Sequence, residues 1–372
     1  MICNKESCTG CYACANICPK DAIEFKEDEY GYIYPYKKDN CINCGLCKQV
    51  CPSINNKIIY RKPKIAYAAW SLDKDNRKTS TSGGVASIIS KYILDNNGVV
   101  YGASYNEELS LEHIRVNNKK QLKKLKGSKY VHSKVGITYR QVKKDLKEDK
   151  VVLYLGTPCQ IAGLLQYLKK DYEKLIVIDI VCHGVPSQKL LKEYIHEEVG
   201  DTKVDEVLFR EGNNYVISFK KKEQVIYRKA IRESTYFTAF MKSIISRDNC
   251  YECKYARPER ISDLTIGDFW GIGREEEFPY QIKDGVSLIL VNTNKGEKLV
   301  NGCSNELFVM ERKLSEAING NSQLREPSKA SKEINLFRKI YLKKGFNKAV
   351  KKCFRNDFIK YKIKKKIRKL DF

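Results

Sequence analysis

Two stretches decide the reading: CTGCYACANICP at residues 8–19 and CINCGLCKQVCP at residues 41–52. Each is the run C-x2-C-x2-C-x3-C-P. Three closely spaced thiolates wrap one face of an iron–sulfur cube. The fourth lies on a following helical turn, just before a proline, and reaches a second cube. The spacing assigns one 4Fe-4S cluster to Cys8, Cys11, Cys14 and Cys51, and another to Cys41, Cys44, Cys47 and Cys18. Gly10, Ala13, Ala15 and Gly45 are small enough to let backbone amides approach the sulfurs. Zinc also binds C-x2-C pairs, but it does not explain two triplets each closed by Cys-Pro. Cys3 stands outside both runs and reads as a spare thiol.

The rest of the 372 residues agrees with metal or redox chemistry in a reducing compartment. There are 15 cysteines against 4 histidines, and the start MICNKESCTG has no apolar leader core. The expected location is the cytoplasm. With 42% hydrophobic and 31% charged residues the chain reads as globular, and no run approaches a membrane span. The formal charge is +24, and residues 338–372 hold 15 basic residues against Asp357 and Asp371, more than half of that excess. The expected division is a two-cluster domain over 1–56, a body over 64–310, and a basic helical extension over 311–372.

The body alternates apolar runs with amphipathic segments. VVLYL (151–155) reads as a strand, and Gly156-Thr157-Pro158 opens a helix near Cys159. LIVIDIV (175–181) reads as a second strand, followed by Cys182-His183-Gly184 and a helix from about Ser187. Two strands joined by a helix of this length run parallel in one sheet. Cys159 and Cys182 would then leave its carboxyl edge, where open α/β sheets bind ligands. With the C-x2-C pair Cys250 and Cys253 they form a candidate third cluster. The alternative is that the first two are ordinary buried cysteines and the pair binds zinc or nothing. Cys303 and Cys353 read as core or spare thiols.

Ser82-Gly83-Gly84 precedes a helical pattern over Val85–Leu94 and suits either a phosphate or a simple serine cap. The segment Gly127–Val131, with Lys129 and Tyr130, reads by itself as a solvated loop. DLTIGDFWGIG (263–273) pairs a strand with a glycine-rich loop in which Trp270 reads as a core aromatic. His113, His132 and His196 read as surface or satisfied polar residues, and only His183 stands beside a candidate ligand. No Ser/His/Asp or H-E-x-x-H arrangement appears, and no nucleic-acid-binding pattern accompanies the basic charge. In the tail, Phe337, Tyr341, Val350, Phe354 and Phe358 recur near helical spacing. They fit a helix packed on the body, or a basic amphipathic helix on an anionic membrane or acidic partner.

Residues 1–55 resemble the bacterial two-cluster ferredoxins. The stretches SGGV (82–85), GSKYVHS (127–133), GTPCQIAGL (156–164), IDIVCHGVPS (178–187), CYECKYARPERISD (250–263) and IGDFWG (266–271) resemble, in order, the coenzyme F-420 hydrogenase/dehydrogenase beta-subunit family. The resemblance implies bound FAD, a phosphate role for Ser82, Gly83 and Gly84, and a flavin role for Lys129 and Tyr130. It also favours a third cluster on Cys159, Cys182, Cys250 and Cys253, with Asp268 or His183 as substitute ligands. It names no substrate. The expected fold class is α+β: a small ferredoxin-like domain, an α/β flavin-binding body with a mixed sheet, and a helical tail. The expected function is a ferredoxin-linked iron–sulfur flavoprotein oxidoreductase acting on an organic donor or acceptor. The alternative is an electron-transfer subunit serving a partner protein.

Overall fold

The structure is a computed structural model that describes residues 1–55, 57–212 and 214–370. The N-terminal segment holds the antiparallel pair β1 (Ile23–Glu27) and β2 (Ile33–Lys37). Next come β3 (Ile65–Ser71), β4 (Val99–Tyr105), β5 (Leu111–Val116), β6 (Val152–Gly156) and β7 (Leu175–Ile180). The chain continues through β8 (Glu206–Leu208), β9 (Val216–Lys221), β10 (Gln224–Ala230), β11 (Leu264–Asp268), β12 (Ser287–Val291) and β13 (Leu307–Arg312).

Among the described residues the body is one mixed sheet, in the order β13-β3-β12-β11-β7-β6-β4-β5. Strands β4, β6, β7 and β11 are parallel neighbours; β12 and β13 pair antiparallel with β3, and β5 with β4. The fold is thus α+β with a mixed sheet. β6 and β7 fall on the two apolar runs because both faces of a central parallel strand are covered. The helix Pro158–Leu168 joins them, opened by a Thr157/Gln160 capping box with Pro158 in its first turn. The carboxyl ends of β3, β11, β7 and β6 therefore lie along one edge. A second sheet, β8-β9-β10, is antiparallel and packs its inner face on helices Gln188–Val199 and Thr235–Met241.

The N-terminal segment does not hang from a linker. Cys11, Tyr12, Ala13, Ile33 and Val50 share one apolar core with Tyr139, Val142, Tyr154, Ile161 and Leu164 of the body. At the other end, β13 crosses the boundary expected at 310/311 and belongs to the sheet. Beyond it, helices Ile334–Lys344 and Phe346–Cys353 bury Phe337, Tyr341, Phe346 and Val350 in the core under β9. Phe354 and Phe358 pack against the same core, while Ile359 and Ile363 are exposed. The basic side chains at 362 and 364–370, on which a membrane contact would rest, lie outside the described residues. No described helix is long and apolar enough to cross a membrane.

Candidate functional site: three groups of thiols on one path

The first group is Cys8, Cys11, Cys14 and Cys51, all buried, lining a small hollow. The amides of Gly10, Ala13 and Ala15 donate to the sulfurs of Cys8, Cys11 and Cys14. Three of the four small residues picked out in the sequence thus have their expected use. Burial pushes the Cys11 thiol up to about 12 and raises Cys14 as well. Such thiols hold their anionic form only when metal charge offsets the loss of water. Cys3 is not remote from this group. It lines the same hollow, and its thiol interacts with both Cys51 and Cys8. Nothing in the C-x2-C spacing announced it.

The second group, Cys18, Cys41, Cys44 and Cys47, lines a larger hollow with Lys20, Lys37 and Lys48. Cys44 is exposed and the other three are partly so. The Ala22 amide donates to Cys18 Sγ at 3.3 Å. The helices Ala13–Ile17 and Leu46–Gln49 each carry the chain from one triplet into the other hollow, so that Cys18 lines the hollow of Cys41, Cys44 and Cys47, and Cys51 that of Cys8, Cys11 and Cys14. Among the described residues no three His, Cys, Asp or Glu side chains converge tightly round a single ion; the thiols line hollows instead.

The third group lies at the carboxyl edge of the sheet. Cys159 opens the helix after β6 and Cys182 follows β7. The turn Asp248–Glu252 brings Cys250 onto the Gly184 backbone, close enough that a side chain there would meet Cys250 Cβ at 3.4 Å. The charges of Cys159, Cys182 and Cys253 all act on Cys250. Burial raises Cys159 and Cys182 to about 12 each. The buried pair Arg260–Asp179, at 2.7 Å, ties the segment after Cys253 to the end of β7.

The same edge gathers the remaining motifs. Gly83 N donates to Ser287 Oγ at 2.9 Å, placing the Ser82-Gly83-Gly84 turn against the start of β12. The eleven-residue helix Val85–Asp95 begins at Gly84 with no side-chain cap, so the serine cap allowed by the sequence is not made. Its first-turn amides remain available to an anion. Lys129 is not in a solvated loop: its Nζ donates to the carbonyls of Leu125, Lys126 and Gly127. Burial lowers it to about 8. Lys126 instead faces the turn, its Nζ 2.8 Å from Thr79 Oγ1, and Arg77 donates to Gly285 O at 2.8 Å. Sequence reading missed both cations; the basic run before Gly127 was the available signal.

From the turn a polar seam continues. Thr81 Oγ1 meets Ser128 Oγ at 3.0 Å, Tyr130 contacts Ser128 and Arg210, and Arg210 pairs with Asp268 at 2.7 Å. Tyr215 also donates to Asp268, at 3.2 Å, and its ring faces Trp270. Trp270 is 43% exposed, contrary to the core position expected from its sequence. Phe269 takes the core, 4% exposed, and the tight turn after β11, in which Trp270 N donates to Asp268 O at 3.0 Å, carries the next side chain outward. Burial holds His183 below its ordinary value, against the pull of Asp268. His113 is buried and satisfied by Leu155 O and Ser133 Oγ, and His196 is exposed. His132 departs from expectation, since it is buried with no partner for Nε2.

A two-cluster ferredoxin segment seated on an α/β body defines an iron–sulfur electron-transfer protein. The chain matches the family models for the 4Fe-4S dicluster domain at residues 7–55. It also matches those for coenzyme F420 hydrogenase/dehydrogenase, beta subunit N-term at 66–136 and C terminus at 149–317. The chain belongs to the coenzyme F420 hydrogenase/dehydrogenase beta-subunit family, a family of oxidoreductases. Among solved structures it is similar to a chain of the F420-reducing [NiFe] hydrogenase complex from Methanosarcina barkeri. The match has 16% identity and a TM-score of 0.50, and covers 80% of this chain and 90% of that one, a likeness of fold. No curated protein sequence matches.

Proposed function

We propose that the chain is an iron–sulfur flavoprotein oxidoreductase that passes electrons between ferredoxin-type clusters and an organic substrate through FAD. Clusters exchange single electrons, and a flavin pairs them for two-electron chemistry. The observation that carries the reading is adjacency. The helix Pro158–Leu168 bears Cys159 on its first turn and Gly163 one turn later. A Cβ on Gly163 would meet Cys11 Cβ at 2.9 Å. One helix therefore places the first group of thiols beside the third, and the exposed second group stands outside both.

In this reading Cys8, Cys11, Cys14 and Cys51 hold one cluster and Cys18, Cys41, Cys44 and Cys47 another. Cys159, Cys182, Cys250 and Cys253 hold a third at the sheet edge. The uncapped start of Val85–Asp95, with Ser82, Gly83 and Gly84, binds the FAD phosphates, and Lys126 and Arg77 supply charge. Lys129 braces the loop that presents Tyr130. The redox carrier is a ferredoxin or similar protein docking near Cys44, and the chain acts as a cytoplasmic enzyme whose domains divide as entry segment, body and tail. The hydrogenase complex that contains the solved relative favours a second reading. In it the chain is a subunit whose electrons go to a partner protein, with no small-molecule substrate of its own.

Anaerobic purification followed by iron, sulfide and flavin analysis tests the proposal. About twelve irons per chain and one FAD are expected. About eight irons would remove the third cluster, and C250S or C253S should each cost about four irons if it exists. A chain that neither holds nor takes up FAD would overturn the flavin mechanism. A substrate reduced by the isolated chain would decide against the subunit reading.

A further inference from the structure

Arg247 is a fully buried arginine, 1% exposed. The other buried arginines have carboxylates: Arg210 with Asp268, Arg260 with Asp179, and Arg312 with Glu316. Among the described residues Arg247 has none. Its Nε donates to Cys8 O at 2.6 Å and its Nη2 to Ile33 O at 2.8 Å. The guanidinium lies 4.3 Å over the Tyr34 ring, and Nη1 has no partner. An uncompensated buried cation costs several kcal/mol, so a fold keeps one only opposite an anion. The anion at hand is the thiolate set of the first group. The guanidinium charge acts on the Cys8 thiol, and a Cβ on Gly10 would stand 3.5 Å from its Cζ. The Arg247 backbone belongs to the third group instead. Its N–H donates to Val185 O, and its carbonyl accepts from Cys250 N. One residue thus joins the loop of one thiol group to the backbone of another.

We propose that Arg247 is a positioning residue that sets the first cluster's potential. Its buried charge makes the cluster of Cys8, Cys11, Cys14 and Cys51 easier to reduce than that of Cys18, Cys41, Cys44 and Cys47. Burial alone would do the opposite, because a low-dielectric site disfavours the extra negative charge of the reduced state. A fixed guanidinium charge held on the ligand loop reverses that order. One electron added to the exposed cluster then comes to rest on the inner one, so that the exposed cluster is reoxidised as the inner one is reduced. This inference rests on the cluster reading of the two cysteine runs.

The test is a redox titration of the holoprotein followed by electron paramagnetic resonance, with iron determined on every sample. In the wild type, the ferredoxin-type step at higher potential should survive in C44S, which perturbs only the exposed cluster. In iron-replete R247Q that step should become at least tenfold harder to populate, 59 mV for one electron, with the lower step unmoved. R247K, which keeps the charge, should shift less than half as far. An iron-replete R247Q that titrates as wild type overturns the proposal. So does a C44S protein that loses the higher step. Should R247Q fail to fold, the order of steps in wild type and C44S decides alone. Absence of iron from the wild type would instead defeat the cluster reading.

Discussion

Gly163 has no room for a side chain, with Cys11 Sγ at 3.0 Å and Tyr139 Oη at 2.9 Å from where its Cβ would stand. G163A should push the Pro158–Leu168 helix off the first ligand loop. The expected cost is about 1–3 kcal/mol of overpacking, read as a lower thermal midpoint together with slower electron exchange between the inner groups. His113 makes a pH prediction. Burial holds its imidazole neutral down to about 4, against 6.5 for a free histidine. Below 6.5 the unfolded chain takes up a proton that the folded chain refuses, so stability falls as pH drops from 6.5 toward 4. H113Q should flatten the urea-midpoint profile in that window by about 1.4 kcal/mol per pH unit, and an unchanged profile would refute the assignment. Cys8 to Cys51 were legible because ligand spacing is local. Cys3 and Arg247 were not, because each reaches the first group only through folding.

At the scale of elements, the short helix Ala13–Ile17 is held from outside. Arg140, on the helix Thr138–Lys147, donates to Asn16 O at 2.7 Å and to Ala15 O and Cys18 O at 2.9 Å. It caps the carbonyls a five-residue helix cannot satisfy. R140A should cost about 1–2 kcal/mol, since the guanidinium is partly exposed. Limited proteolysis should then cut first between the two cysteine runs. Strands β6 and β7 were readable as apolar runs, and the helix after Ser187 begins with its hydroxyl accepting from Leu190 N. β8 to β10 were missed because their outer face is polar and lysine-rich, which hides the pattern. Trp270 was misjudged for a different reason: it lies in the turn just past the end of β11, and where a strand stops is set by its neighbours in the sheet.

Across the whole molecule, Cys44 is exposed, the first group is buried, and the four cysteines at the sheet edge are half-buried. The outermost group is ringed by Lys20, Lys37 and Lys48. Electron transfer from an acidic soluble carrier should therefore slow severalfold between low and physiological salt, as the Debye length shrinks to about 8 Å. Charge reversal at Lys37 and Lys48 should remove that dependence; a salt-independent wild-type rate would place the entry point elsewhere. By itself the sequence determined the two ferredoxin-type ligand runs, the parallel pair β6–β7 and the family, because these rest on local spacing and burial pattern. The tertiary structure alone decided that Cys250 comes within electrostatic reach of Cys159 and Cys182, that the entry segment shares a core with the body, and that Arg247 stands beside Cys8. Those relations join residues up to 239 positions apart in the chain, and only packing brings such residues together.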